Sequence, residues 1–175
     1  MPIRWQVYPR SQKPSDLVLD IAECFRVQLG VIGTPPNKPS SDAVLTALRP
    51  GLVDLGFKVE GGKKKADKIR VPILFGLNGT EEKAFEVDAW SEKHRAIVEI
   101  EAGIAVDARK IYQDLFEAIV MPDIDFVCIA LQNAYHPRRW AKGRDDFMKA
   151  KNTFDSLIES GRLKLPFETF MLLGY

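Results

Sequence analysis

The segment from Phe85 to Gly103, FEVDAWSEKHRAIVEIEAG, constrains the fold more than any other part of the chain. It reads as two apolar-rich strands joined by a charged turn, Glu92 to Arg95. Three acids interrupt the apolar pattern: Asp88 on the first strand, Glu99 and Glu101 on the second. Residues two apart on a strand point to the same face, so Glu99 and Glu101 share one side. An antiparallel hairpin brings Asp88 alongside them. Like charges facing one another destabilise a hairpin unless something positive sits among them, and hard cations such as Mg²⁺ take carboxylate oxygens. The same alternation also describes the solvated face of an antiparallel sheet. Against that stands the surrounding sequence. Ala96, Ile97 and Val98 lead into Glu99, and a helical pattern follows. This strand is therefore expected to be covered on both faces, where acids are seldom left unpaired.

A chain of 175 residues fits one domain with a substantial core. The pattern divides it into an N-terminal helix and loop (1–40), a central core (41–131), and a basic loop, C-terminal helix and tail (132–175). The formal net charge is +1, so any nucleic-acid contact must come from local basic clusters. Cys24 and Cys128 are isolated within apolar patterns, as expected for buried thiols of a reducing compartment. The N-terminus lacks the apolar core of a signal peptide, and no run reaches the roughly 18 apolar residues of a membrane helix. A cytoplasmic protein without a membrane partner is expected.

Residues 15–32 have helical spacing, and GTPPNKPSS (33–41) is a loop. A second helix starts near Ser41 or Asp42, with Val44, Leu45, Leu48, Leu52 and Leu55 as its apolar stripe. Pro50-Gly51 is expected to kink or split it. After a short extended piece (57–60), the loop GGKKKADK carries Lys63, Lys64, Lys65 and Lys68, either as a phosphate clamp or as a soluble turn. Ile69 to Phe75 reads as the first core strand, with Pro72 marking an edge or bulge, and Asn78-Gly79 as a tight turn. His94 in the charged turn reads as a surface residue. A helix over 106–120 buries Ile111, Leu115, Phe116 and Ile119 and turns Lys110, Asp114 and Glu117 outward. The apolar run Ile124 to Leu131 is a strand buried on both faces, reached by a crossover that implies parallel pairing. The basic stretch 132–144 places Arg138, Arg139, Lys142 and Arg144 among Tyr135, His136 and Trp140, a composition suited to phosphates and bases. A helix over 145–160 follows, and the apolar tail LKLPFETFMLLGY is either a last strand or a dimer contact.

Val87-Asp88, ten intervening residues and then Glu99-Ile100-Glu101 resemble the motif of the PD-(D/E)XK, or restriction-endonuclease-like, nucleases. The resemblance rests on this motif and on the element order over residues 42 to 131. It implies an α/β fold: a central mixed sheet of four to five strands flanked by helices. It also implies a Mg²⁺-dependent endonuclease, with Mn²⁺ as substitute, that hydrolyses DNA or RNA and in some family members works as a homodimer. Asp88, Glu99 and the Ile100 carbonyl become the implied metal ligands. Glu101 stands where most of the family has lysine, as some restriction enzymes of the family do, and serves either as a further ligand or to orient the attacking water. Glu23 becomes a supporting acid, and Arg109, Lys110 and Gln113 phosphate- or carboxylate-assisting residues. The alternative is a catalytically silent member of the same fold that binds nucleic acid or protein.

Overall fold

A computed structural model of the chain describes residues 1–34, 37–62, 64–103, 106, 109–135 and 144–175. Lys63, Arg138, Arg139 and Lys142, together with the Lys65 side chain, lie outside the described residues, as do His136 and Trp140.

In chain order the elements begin with β1 (Arg4–Tyr8), α1 (Asp16–Val27), the short α2 (Leu29–Ile32), α3 (Ser41–Asp54) and β2 (Lys58–Val59). Next come β3 (Ile69–Phe75), β4 (Glu81–Val87), β5 (Ala89–Ser91), β6 (Ala96–Glu101), α4 (Lys110–Val120) and β7 (Phe126–Leu131). The chain closes with β8 (Ala134–Tyr135), β9 (Arg144–Asp145), α5 (Asp146–Ile158) and β10 (Thr169–Gly174). The architecture is α/β, built on a six-stranded mixed sheet of order β1-β10-β7-β6-β5-β2.

The alternation of side chains along each strand builds two cores. Val98 and Ile100 of β6, with Cys128, Ala130, Met171 and Leu173, face α1 and α3 through Phe25, Leu48 and Leu52. Ile97 of β6, with Val127, Ile129, Phe170 and Leu172, faces α4 and α5 through Ile111, Leu115 and Phe154. A strand covered on both sides must be apolar at every position, and β7, FVCIAL, is buried throughout. The crossover through α4 leaves β6 and β7 parallel, as the sequence implied, with Glu99 opposite Ile129 and Glu101 opposite Leu131.

Four sequence expectations are corrected. The sheet has six strands rather than four to five, because the ends of the chain complete it. RWQVY forms β1, and the apolar tail is β10, parallel to β7, antiparallel to β1 and buried throughout, so it is a central strand and not a dimer contact. Arg4 ties this end together, donating to both carboxylate oxygens of Asp145 at 2.8 Å and to Asn133 Oδ1 at 2.7 Å. Second, β3 is not a core strand: it pairs only with β4, in a separate two-stranded ribbon with a register shift after Pro72. Third, α3 is not split at Pro50: the helix continues from Ser41 to Asp54. Its buried residues lie on both sides of the proline, and their packing outweighs the roughly 3 kcal/mol of one lost hydrogen bond and ring clash. Gly51 fits because a Cβ there would meet Cys24 Sγ of α1 at 2.9 Å. Fourth, Phe116 is 62% exposed, and Ala118 takes its place on the buried side of α4. The Asn78-Gly79 turn is as expected, both residues having positive φ (59° and 74°). No helix among the described residues is long and apolar enough to cross a membrane.

Candidate functional site

Asp88 lies at a break in the strand, between β4 and β5, and that break places it. Its carbonyl accepts the Glu60 N–H from the end of β2 at 2.8 Å. Its carboxylate Oδ2 accepts the Ile100 N–H of β6 at 2.7 Å. The Asp88 backbone N–H in turn favours the charged form of Glu99. The two motif strands are therefore clasped through their acids, and Asp88 has one rotamer secured by main chain. Glu99 and Glu101, sharing a face of β6 with Ile97, point to the α4 side of the sheet, where Asp114 waits. Tyr175, on the opposite face, donates its hydroxyl to the Glu101 carbonyl at 2.9 Å and holds the strand end from behind.

These groups line a cleft of about 580 Å³ between the ribbon, β6 and α4. Its described walls carry the carboxylates of Asp42, Glu60, Glu86, Asp88, Glu99, Glu101, Asp114 and Glu117, against the ammonium groups of Lys68 and Lys110. Burial pushes the acids up. Asp88 rises to about 6, chiefly by desolvation, with the Ile100 amide opposing and the charges of Glu60 and Glu101 adding. Glu99 is driven well above the ordinary carboxylate range by desolvation and then by the charges of Asp88 and Asp114. Glu101 is raised by burial and held back by Lys110. Asp114 rises to about 8 through burial, the Glu101 charge and the hydrogen bond the two carboxyls share. Glu101 and Asp114 thus retain one proton between them at neutral pH. Asp114 Oδ2 is buried without a hydrogen-bond partner.

These shifts have a consequence for stability. In the unfolded chain both aspartates ionise near 3.8, whereas the fold holds Asp88 protonated to about 6 and Asp114 to about 8. Both raised values favour the folded state below the unfolded pKa, and that advantage is lost as pH rises through the folded one. Metal-free protein is therefore expected to lose thermal stability as pH climbs from about 4 to about 8. Asp114→Asn should flatten the upper half of this decline. Thermal unfolding of both proteins in chelator across this range is the check, and parallel declines would refute it.

The structure brings together Asp88, Glu99, Ile100, Glu101 and Gln113, all of which line the cleft. It does not bring Glu23 there: that carboxylate is on the exposed face of α1, paired with Arg26, because its helix covers the other side of the sheet. Arg109 is not in the lining either, being exposed at the left-handed residue (φ 61°) that precedes α4. Arg144 is not a free phosphate ligand, since its guanidinium is bound by the buried Asp146. Lys64 is exposed in its loop. Lys68, of the same loop, turns inward, and its Nζ donates to Glu60 Oε1 at 2.7 Å. His94 is half-buried rather than a surface residue, its ring stacked on Phe57 and its Nε2 3.1 Å from the Leu55 carbonyl oxygen.

Two residues escaped the sequence reading. Glu60 ends the short extended piece 57–60, and Asp114 sits one helical turn beyond Lys110. The spacing Lys110, Asp114, Glu117 marks one stripe of α4. That stripe faces the cleft rather than open solvent, which corrects the outward placement of Asp114 and Glu117.

Among the described residues no group of three or more His, Cys, Asp or Glu side chains is drawn close enough to hold a metal ion. The donor chemistry nonetheless suits a hard divalent cation: carboxylates from neighbouring strands, Asp88 and Glu99, whose charged forms are disfavoured first by burial and then by the charges of nearby acids, and one buried oxygen without a partner. Comparison of the chain with protein-family models and with curated proteins gives no match.

Proposed function

We propose that the cleft is the active site of a metal-dependent phosphodiesterase of the restriction-endonuclease-like type, acting on DNA. One observation carries this reading: Asp88, Glu99 and Glu101 are gathered in a single cleft with Asp114, in an environment that disfavours all their charges at once. Element order is consistent with it: a helix, α3, precedes the antiparallel strands β2, β5 and β6, with the β3–β4 ribbon inserted between β2 and β5, and the α4 crossover to β7 follows.

Asp88 and Glu99 would hold Mg²⁺ or Mn²⁺, with the Ile100 carbonyl and Glu101 adjoining. Bound there, the ion supplies Lewis acidity to the scissile phosphate, a lowered pKa for water and charge to steady the leaving oxygen. The chain's own residues do the rest. The Ile100 N–H fixes the Asp88 carboxylate. Glu101, ionised while Asp114 holds the proton the pair shares, would accept a proton from the attacking water, leaving both carboxyls of the pair neutral. Lys68 keeps Glu60 neutralised at the cleft wall.

A second reading, a catalytically silent member of the same fold that binds nucleic acid or protein, is favoured by Glu101 standing where most of the family has lysine and by the net charge of only +1. Incubating purified protein with supercoiled plasmid in Mg²⁺, in Mn²⁺ and in chelator separates the two. Nicking in either metal and none in chelator is the expected result. Intact plasmid under all three conditions, with Mn²⁺ binding detected by calorimetry, would establish the silent module instead.

A further inference from the structure

A phosphodiester entering this cleft meets carboxylates on most sides, and at short range their repulsion is severe in a low-dielectric setting. Positive charge is needed at the wall as well as at the centre. The described residues offer few sources. Lys68 is engaged with Glu60 at 2.7 Å. Gln113 donates its amide to Glu117 Oε1 at 2.8 Å. Arg109 is outside the lining.

Lys110 differs from all three. It lines the cleft, its side chain is exposed, and no salt bridge engages it among the described residues. Its charge acts on both Glu101 and Asp114, so its ammonium is on their side of the cleft. The helix macrodipole does not account for it. A cation in the first turn of a helix opposes the macrodipole, and α4 has neither an acidic residue in that turn nor a side-chain cap.

The geometry points to Lys110 as the residue that holds a substrate phosphate over the Glu101–Asp114 side of the cleft. This rests on the phosphodiesterase reading and names its phosphate anchor. Lys110 offers a mobile point charge, suited to any phosphate of a DNA strand and indifferent to base sequence.

The test compares wild type, Lys110→Ala and Lys110→Arg. Binding of a labelled DNA duplex is followed by fluorescence anisotropy in Ca²⁺ at several salt concentrations, and cleavage kinetics in Mg²⁺. Loss of one phosphate contact should reduce the slope of log K against log salt by about one in Lys110→Ala. KM should rise because the contact is made in ground and transition states alike, and the pH profile of kcat should move upward, because the Lys110 charge no longer lowers Glu101 and Asp114. Lys110→Arg should restore the slope, and circular dichroism should show all three proteins folded. Wild-type slope and affinity in Lys110→Ala would overturn the assignment, as would DNA binding absent from the wild type. If the slope changes as expected but no protein cleaves, the anchor stands and the catalytic reading falls. If all cleave with equal KM, the catalytic reading stands and the anchor falls.

Discussion

Asp88→Ala is expected to abolish metal-dependent cleavage, lowering its rate by about three orders of magnitude or more. Charge stabilisation by a metal in a phosphoryl-transfer site is worth several kcal/mol, and each 1.4 kcal/mol is about tenfold in rate. The Asp88 carboxylate is pinned by a main-chain donor of the neighbouring strand, the Ile100 N–H at 2.7 Å, which fixes its place in the cleft. Alanine would also leave that N–H without its acceptor, a structural cost of about 1–3 kcal/mol if it stays buried. Asp88→Asn is the companion variant, because its amide oxygen preserves the acceptor while removing the charge. Both should lose cleavage and Mn²⁺ affinity, and Asp88→Asn should keep the wild-type unfolding temperature or exceed it above pH 6, where the native carboxylate is charged against its burial. Cleavage retained by a folded Asp88→Asn would exclude Asp88 from the chemistry. Cleavage lost only in Asp88→Ala, together with its fold, would assign the residue a structural role.

The largest stability effect is expected at Phe170, in the strand the tail inserts into the sheet. Phe170 is fully buried, stacked on Tyr8 of β1 at 5.6 Å and edge-on to Phe154 of α5 at 5.0 Å. Phe170→Ala removes an aromatic anchor from three elements at once and leaves a cavity at the centre of the sheet. Such truncations cost about 3–5 kcal/mol, a large share of the roughly 5–15 kcal/mol that stabilises a typical domain. Urea unfolding followed by circular dichroism should show the midpoint falling steeply, or no folded baseline at all. A loss below about 1 kcal/mol would mean that the tail strand is not a central member of the sheet.

The site was legible in part for a simple reason. Period-two alternation determines which side chains share a face, so Glu99 with Glu101, and Asp88 across the hairpin, could be paired from the residues alone. Apolar runs bounded by turns and prolines likewise determined β7, the β6–α4–β7 crossover and the Asn78-Gly79 turn. Faces, however, do not name partners. That β10 lies between β1 and β7, that the β3–β4 ribbon stands apart, and that α3 continues past Pro50 depend on contacts far apart in the chain. The same limit governs the charges. Asp114 and Arg144 read locally as exposed polar residues, and only the packing of α4 against β6, and of Arg144 beside Asp146, turned one toward Glu101 and removed the other from solvent. Glu60 and Lys68 became partners because the chain returns past β2 before entering the ribbon. Local pattern determined the elements and the motif acids; tertiary packing decided which face each helix presents, and through it the composition of the cleft.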